Sequence, residues 1–194
     1  MIALGYRTPD EWAARVAARP AALLSDHAHC ELRAATAAQA LITRNPGMSA
    51  LVERLAAVAT EELRHFRRVV RELRRRGKEL AHADANPYVE GLLHEAGKTR
   101  REPLLDRLLV AGLVERRSLE RFELLARGAA DERLRELYAR LVPSESAHAD
   151  LFWELAVDAY GERAARRRLD ALSAVEAALV RSLPFAYRVH SGAA

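Results

Sequence analysis

The pattern Glu-x-x-His occurs twice in this chain, as Glu62-Leu63-Arg64-His65 and as Glu145-Ser146-Ala147-His148, and no other feature restricts its fold as much. On an α-helix, residues three apart lie on one face, one turn from each other. Each motif therefore aims a carboxylate and an imidazole at one point. A further glutamate precedes each motif at a matched distance: Glu31 lies 31 residues before Glu62, and Glu115 lies 30 residues before Glu145. One copy carries little weight, because Glu and His are common on solvated helix faces. Two copies with equally spaced partners are rare by accident.

One Glu from each of two helices, with Glu-x-x-His from each of two others, is the ligand set of ferritin-like dimetal carboxylate proteins. The rest of the sequence agrees with such a fold. Half the residues are hydrophobic, and only nine Gly and seven Pro are spread over 194 residues. Ala, Leu, Arg and Glu dominate, all good helix formers. Alternating runs of β-branched and aromatic residues, the mark of strands, are missing. The expected class is all-α: a ferritin-like four-helix bundle with a long crossover connection and extra N- and C-terminal helices. The expected organisation is one ferritin-like di-iron domain over residues 1–194, with a core at 21–160 and peripheral helices at 8–19 and 162–183.

The apolar stripes place the six residues. In 21–43, Leu24, Glu31, Ala34, Ala38 and Leu41 or Ile42 trace one face. In 49–76, Leu51, Leu55, Val58, Glu62, His65 and Val69 do so, with Gly77 as the stop. In 103–127, Leu104, Leu108, Ala111 or Gly112, Glu115, Leu119 and Phe122 form the stripe, closed by Gly128. In 132–160, the inward set is Leu134, Leu137 or Tyr138, Leu141, Glu145, His148, Phe152 and Leu155. A carboxylate inside an apolar stripe is expensive unless it is paired or bound to metal. Glu120 and Glu123 rival Glu115, which wins on its stripe position and its spacing. Glu61 is rotated about 100° from Glu62 and falls outside the ligand set.

Residues 78–101 read as the long crossover, with a short helix from Pro87 to Ala96. Thr8 reads as the N-cap of a lead-in helix with Pro9 at N1. Pro143 is expected to kink the fourth long helix just before Glu145, with Ser144 opening a new segment. The tail from Pro184 to Ala194 reads as extended, and His29, His82, His94 and His190 as surface or loop histidines. His27, one turn before Glu31, reads as a neighbour of the metal ligands or an entrance residue. Gly112 suits either an opening beside Glu115 or close helix packing.

Cys30 is the sole cysteine, so no intrachain disulfide framework exists. With no signal-like N-terminus and no apolar run of roughly 20 residues, a cytoplasmic protein with no membrane partner is expected. The net charge of +4 and the pI of 9.6 favour an anionic partner such as nucleic acid.

Glu31, Glu62, Glu115 and Glu145 supply four carboxylates, with His65 and His148 as nitrogen donors. Such donors suit iron or manganese. Glu62 and Glu145 are the expected bridging carboxylates and Glu31 and Glu115 the terminal ones. Two iron ions on this set, with O2 as co-substrate, form the expected cofactor.

The text around these ligands is more specific than the ligands alone. Asp26-His27-Ala28-His29-Cys30-Glu31, Glu61-Glu62-Leu63-Arg64-His65-Phe66, Glu115-Arg116-Arg117-Ser118-Leu119-Glu120-Arg121-Phe122 and Ser144-Glu145-Ser146-Ala147-His148 follow in order. Together they resemble the tRNA 2-methylthio-N6-isopentenyladenosine hydroxylase family over residues 20–160. Pro143 departs from the family pattern and bears on local helix geometry. The resemblance implies a non-haem di-iron monooxygenase that hydroxylates the isopentenyl group of the modified adenosine at position 37 of tRNA. Its implied ligands are Glu31, Glu62, His65, Glu115, Glu145 and His148, the set already read from spacing. It implies a tRNA substrate and an external electron donor, a ferredoxin- or flavoprotein-type reductase, with the chain as monomer or small homo-oligomer. Arg74, Arg75, Arg76, Lys98, Arg100, Arg101, Arg166, Arg167 and Arg168 are candidate phosphate contacts. The rival readings are another ferritin-like dimetal oxidase, such as a ferroxidase or a peroxide-metabolising enzyme, and a non-catalytic helical binding module.

Overall fold

The computed structural model describes residues 2–98 and 102–192, and among them it is all-helical. Seven helices follow in order: α1 (Glu11–Ala17), α2 (Pro20–Arg44), α3 (Ser49–Arg75), α4 (Pro87–Gly97), α5 (Pro103–Gly128), α6 (Glu132–Tyr160) and α7 (Glu162–Ser182). The only β-type pairing among the described residues is an isolated bridge between Phe185 and Gly192. No described helix is long and apolar enough to cross a membrane.

The chain folds as two compact units. One comprises Arg19–Asp84 with Tyr187–Val189, and the other Met1–Ala18, Ala85–Ala186 and His190–Ala194.

In the smaller unit, α2 and α3 form a helical hairpin. Asn45 caps α2, and the turn through Pro46 and Gly47 reverses the chain. Leu24, Ala28, Ala35, Ala38 and Leu41 of α2 are buried, as are Leu51, Leu55, Val58, Val69 and Leu73 of α3. Ala35 thus holds the interior position expected of Ala34, which is half-buried. The stop after α3 is as expected: Gly77 sits at φ +67°, where a side chain would be strained. The following strand of chain is pinned to α2. His29 Nε2 meets the Ala81 carbonyl at 2.8 Å, and the Ala81 N–H donates to Ser25 Oγ at 3.1 Å.

In the larger unit, α5 and α6 pair along their length, and α1, α4 and α7 pack around α5. Asn86 and Asp131 cap α4 and α6 by accepting from Val89 N–H and Leu134 N–H, each at 3.2 Å. Gly112 is a packing glycine: a Cβ there would stand 2.4 Å from Ile2 Cδ1 and 3.3 Å from Phe152 Cβ. Helix α6 runs unbroken through Pro143, and Ser144 Oγ donates back to the Leu141 carbonyl at 2.9 Å instead of opening a new segment. An interior proline costs ~3 kcal/mol. Leu134, Tyr138, Leu141, Phe152 and Leu155 are buried on either side of it, and each such burial returns ~2 kcal/mol.

Two further expectations fail here. Thr8 does not cap α1; Asp10 occupies that position, and the Thr8 N–H and Oγ1 instead donate to Glu120 at 2.9 and 2.7 Å. The tail is not a loose extension. Val189, His190, Ser191 and Gly192 are all buried, while residues 193 and 194 lie outside the described set. The Gly192 N–H donates to the Pro184 carbonyl at 2.9 Å, and a Cβ on Gly192 would fall 1.7 Å from the Leu183 oxygen. His190 is therefore no surface histidine. It bonds Ser118 Oγ at 3.0 Å and stacks on Tyr88 at 4.9 Å between ring centroids.

Candidate metal centre

Helical periodicity brings Glu31 of α2 and Glu62 and His65 of α3 together inside the smaller unit. Their ligand atoms lie within 4.8 Å of one another. His65 Nδ1 stands 3.5 Å from Glu62 Oε2 and 3.9 Å from Glu31 Oε2. All three side chains are buried, at 5 % exposure or less. His27, one turn before Glu31, places Nε2 at 2.5 Å from Glu31 Oε1 and is fully buried, which excludes an entrance role. Burial, and next the neighbouring His65, push the His27 pKa down to about 3. The ring is therefore neutral, and its Nε2–H donates to the carboxylate.

The larger unit holds a second set. Glu115 of α5 and Glu145 and His148 of α6 bring their ligand atoms within 4.8 Å of one another, and all are buried. Here too the i, i+3 spacing on α6 and the stripe position on α5 do the work that the sequence assigned to them.

Both sets are suited to a divalent cation. Two carboxylates within 4.8 Å repel by ~3 kcal/mol at an effective dielectric of about 20, and burial adds a desolvation cost to each. A divalent ion between them turns that repulsion into attraction. Carboxylate and imidazole without thiolate is the donor chemistry of iron and manganese. Cys30 lies outside this set; its thiol points to Asp26 Oδ2 at 3.8 Å, and burial raises its pKa.

The rival carboxylates on α5 have other surroundings. Glu120 accepts from Thr8 and Arg117, and Glu123 is half-buried. The Arg-Ser and Glu-Arg-Phe elements of that helix build a buried polar network. Arg117 grips Glu176 of α7 through Nε–Oε1 at 2.8 Å and Nη2–Oε2 at 3.0 Å. Tyr88 Oη donates to the same Glu176 Oε1 at 2.9 Å. Arg121 donates to the Ser191 carbonyl at 2.7 Å and lies 4.8 Å over the Trp12 ring. Sequence reading passed over Glu176, although it interrupts the stripe Leu169, Leu172, Glu176, Val180 as Glu31 interrupts its own.

The candidate phosphate contacts fall into several settings. Arg74, Arg75 and Arg167 are exposed. Arg76 pairs with Glu72 at 2.9 Å, and Lys98 pairs with Glu95. Arg166 covers the Trp153 ring at 4.3 Å. Arg168 donates to Asp106 at 2.6 Å and to the Ala96 carbonyl at 3.3 Å. Arg100 and Arg101 lie outside the described residues.

Comparison with known proteins places this geometry. The chain is 35% identical over 190 residues to the tRNA 2-(methylsulfanyl)-N(6)-isopentenyladenosine(37) hydroxylase of Pseudomonas putida, covering 97% of this chain and 92% of that one. It is 31% identical over 150 residues to the Salmonella typhimurium protein of the same name, covering 77% of this chain and 55% of that one. Among solved structures, a Synechococcus protein described as having aldehyde deformylating oxygenase activity superposes with a TM-score of 0.89. It is 37% identical, with 97% of this chain and 95% of that one covered. The all-α, ferritin-like class expected from the ligand pattern is the fold found. The family model described as tRNA-(MS[2]IO[6]A)-hydroxylase (MiaE) matches residues 2–191, and with these relatives it shows that the chain belongs to that family.

Proposed function

We propose that this chain is an O2-dependent non-haem di-iron monooxygenase that hydroxylates the isopentenyl group of 2-methylthio-N6-isopentenyladenosine at position 37 of tRNA. The observation that carries the reading is the pair of buried Glu/Glu-x-x-His sets, each drawn within 4.8 Å, in a chain of this family. Helical dimetal carboxylate proteins use this same donor complement, two Glu and two Glu-x-x-His, to hold two irons. Glu31, Glu62, Glu115 and Glu145 would hold the metal through carboxylate oxygens, and His65 and His148 through ring nitrogen. On that reading the chain is a single functional domain.

When bound, a di-iron pair supplies the activation of O2 and the transfer of one oxygen atom to a C–H bond. The protein's own contribution is positional. The stripes of α2 and α3 hold three donors buried inside one unit, and those of α5 and α6 hold three inside the other, where charge interactions are strong. His27 fixes the orientation of Glu31 through its N–H. The remaining expectations, an external reductase as electron donor and a cytoplasmic setting, follow from the tRNA substrate and the need for two electrons per turnover.

The test is nucleoside mass spectrometry of tRNA carrying 2-methylthio-N6-isopentenyladenosine, incubated with iron-loaded protein, a reductant and O2. The expected result is a gain of one oxygen atom on that nucleoside, lost in Glu115→Ala. An unchanged nucleoside, with two irons bound and O2 still consumed, would rule out this substrate.

The similarity to the Synechococcus protein favours one second reading, a dimetal oxidase acting on a small aliphatic substrate and not on tRNA. Incubating the same iron-loaded protein with an aliphatic aldehyde separates the two: loss of the formyl carbon there, with tRNA untouched, selects the second reading.

A further inference from the structure

Helix α3 carries Glu62 and His65 on its buried side and a row of arginines on the opposite one. At 100° per residue, Arg64, Arg67, Arg68, Arg71, Arg74 and Arg75 fall within a ~120° arc centred opposite Glu62. All six are exposed. The row spans about 17 Å along the axis at 1.5 Å per residue. Glu72 is the one acid between Arg64 and Arg75; it is buried and turns to Arg76 at 2.9 Å, with Arg75 at 3.6 Å. Among the described residues, the other five arginines make no ion pair. Beside the row, Phe66 and Val70 line a surface groove together with Arg67, Arg71, Arg74 and Arg75.

Like charges this dense repel one another, and a polyanion relieves that repulsion. Guanidinium groups are forked donors that match phosphate oxygens in pairs. An apolar, partly aromatic edge beside such a row accommodates an unstacked base. The other basic positions are less available, because Arg76, Lys98, Arg166 and Arg168 are engaged with Glu72, Glu95, Trp153 and Asp106.

We propose that the Arg64–Arg75 face of α3 is the surface that holds the sugar–phosphate backbone of the tRNA substrate. This rests on the tRNA reading above and goes further by naming the surface. Its charge commits it to RNA.

The experiment is fluorescence anisotropy of a labelled full-length tRNA titrated with the full-length chain over a series of salt concentrations. The variants are Arg67→Ala/Arg71→Ala/Arg74→Ala on α3 and, as control, Arg163→Ala/Arg181→Ala on α7. All five positions are exposed, and circular dichroism verifies that helicity is kept. The α3 variant is expected to bind about tenfold or more weakly at near-physiological salt, with a salt slope shallower by about 2 to 3. The α7 variant is expected to match wild type. Wild-type affinity and slope in the α3 variant, with the wild-type chain binding tRNA, would overturn the surface and leave the tRNA reading standing. Absence of wild-type binding at every salt concentration would remove the tRNA reading and this surface with it. A third outcome also overturns the proposal: tRNA binding kept, but turnover lost with a protein reductase and retained with a chemical reductant. The face would then belong to an acidic redox partner.

Discussion

Arg117 and Glu176 form a two-pronged ion pair, Nε–Oε1 at 2.8 Å and Nη2–Oε2 at 3.0 Å, with both side chains fully buried. Burial acts to lower the Arg117 pKa, but the bonds and charge of Glu176, with Glu120, outweigh it and raise the group above its ordinary value. Removing Glu176 leaves the buried Arg117 with only the half-buried Glu120 as an acidic partner. Glu176→Ala is therefore expected to destabilise the protein by about 3–5 kcal/mol in chemical denaturation. A loss under about 1 kcal/mol would mean that water or another acid solvates Arg117 in the variant.

Metal occupancy is expected to be cooperative with folding stability. Divalent iron, or manganese as a redox-quiet probe, should bind at two ions per chain, read by elemental analysis. Metal at about 100 times its dissociation constant should add ~3 kcal/mol of stability, removed by a chelator. Glu31→Ala and Glu115→Ala should each lower the stoichiometry. A thermal midpoint indifferent to both metal and chelator would contradict the assignment.

His27 contacts Glu31 through Nε2 from one turn earlier on α2. His27→Ala is expected to weaken metal affinity about 10- to 100-fold, measured by chelator competition. His27→Gln, which keeps an N–H donor, should recover part of that loss. Equal damage in the two variants would assign His27 to packing alone.

Asp26 offers a pH test within the α2–α3 unit. Burial raises its pKa above the ordinary carboxyl value, against the opposing Val189 N–H bond at 2.8 Å and the charges of Arg188 and Arg33. A raised folded pKa contributes stability that is fully present below the unfolded pKa and is lost as pH rises through the folded one. Asp26→Asn, which keeps an acceptor for Val189, should flatten that decline and match or exceed wild-type stability at neutral pH. Stability curves against pH that superimpose for the two proteins would show that Asp26 does not titrate differently on folding.

Much of the molecule is legible in its sequence, because helical order is local. Side chains three and four apart share a face whatever else the chain does. The pairs Glu62 with His65 and Glu145 with His148 are thus readable from spacing, and Gly77 and Gly128 mark helix ends. Local preference at Pro143 suggests a new segment opening at Ser144, and that segment does not form. The buried side chains flanking it keep α6 continuous, which is tertiary packing overriding propensity.

The sequence by itself determined the helices, their buried stripes and the two sets of carboxylate and imidazole donors. Only the tertiary structure decided where the long-range partners lie. Thr8 serves Glu120 across 112 residues, Arg117 meets Glu176 across 59, and His190 returns to Ser118 across 72. The physical reason is one of range. A helix repeats every few residues and writes its periodicity into the sequence, whereas contacts between distant segments depend on how the chain returns on itself. There a polar residue such as Glu176 or His190 shows its role only through the partner that burial brings to it.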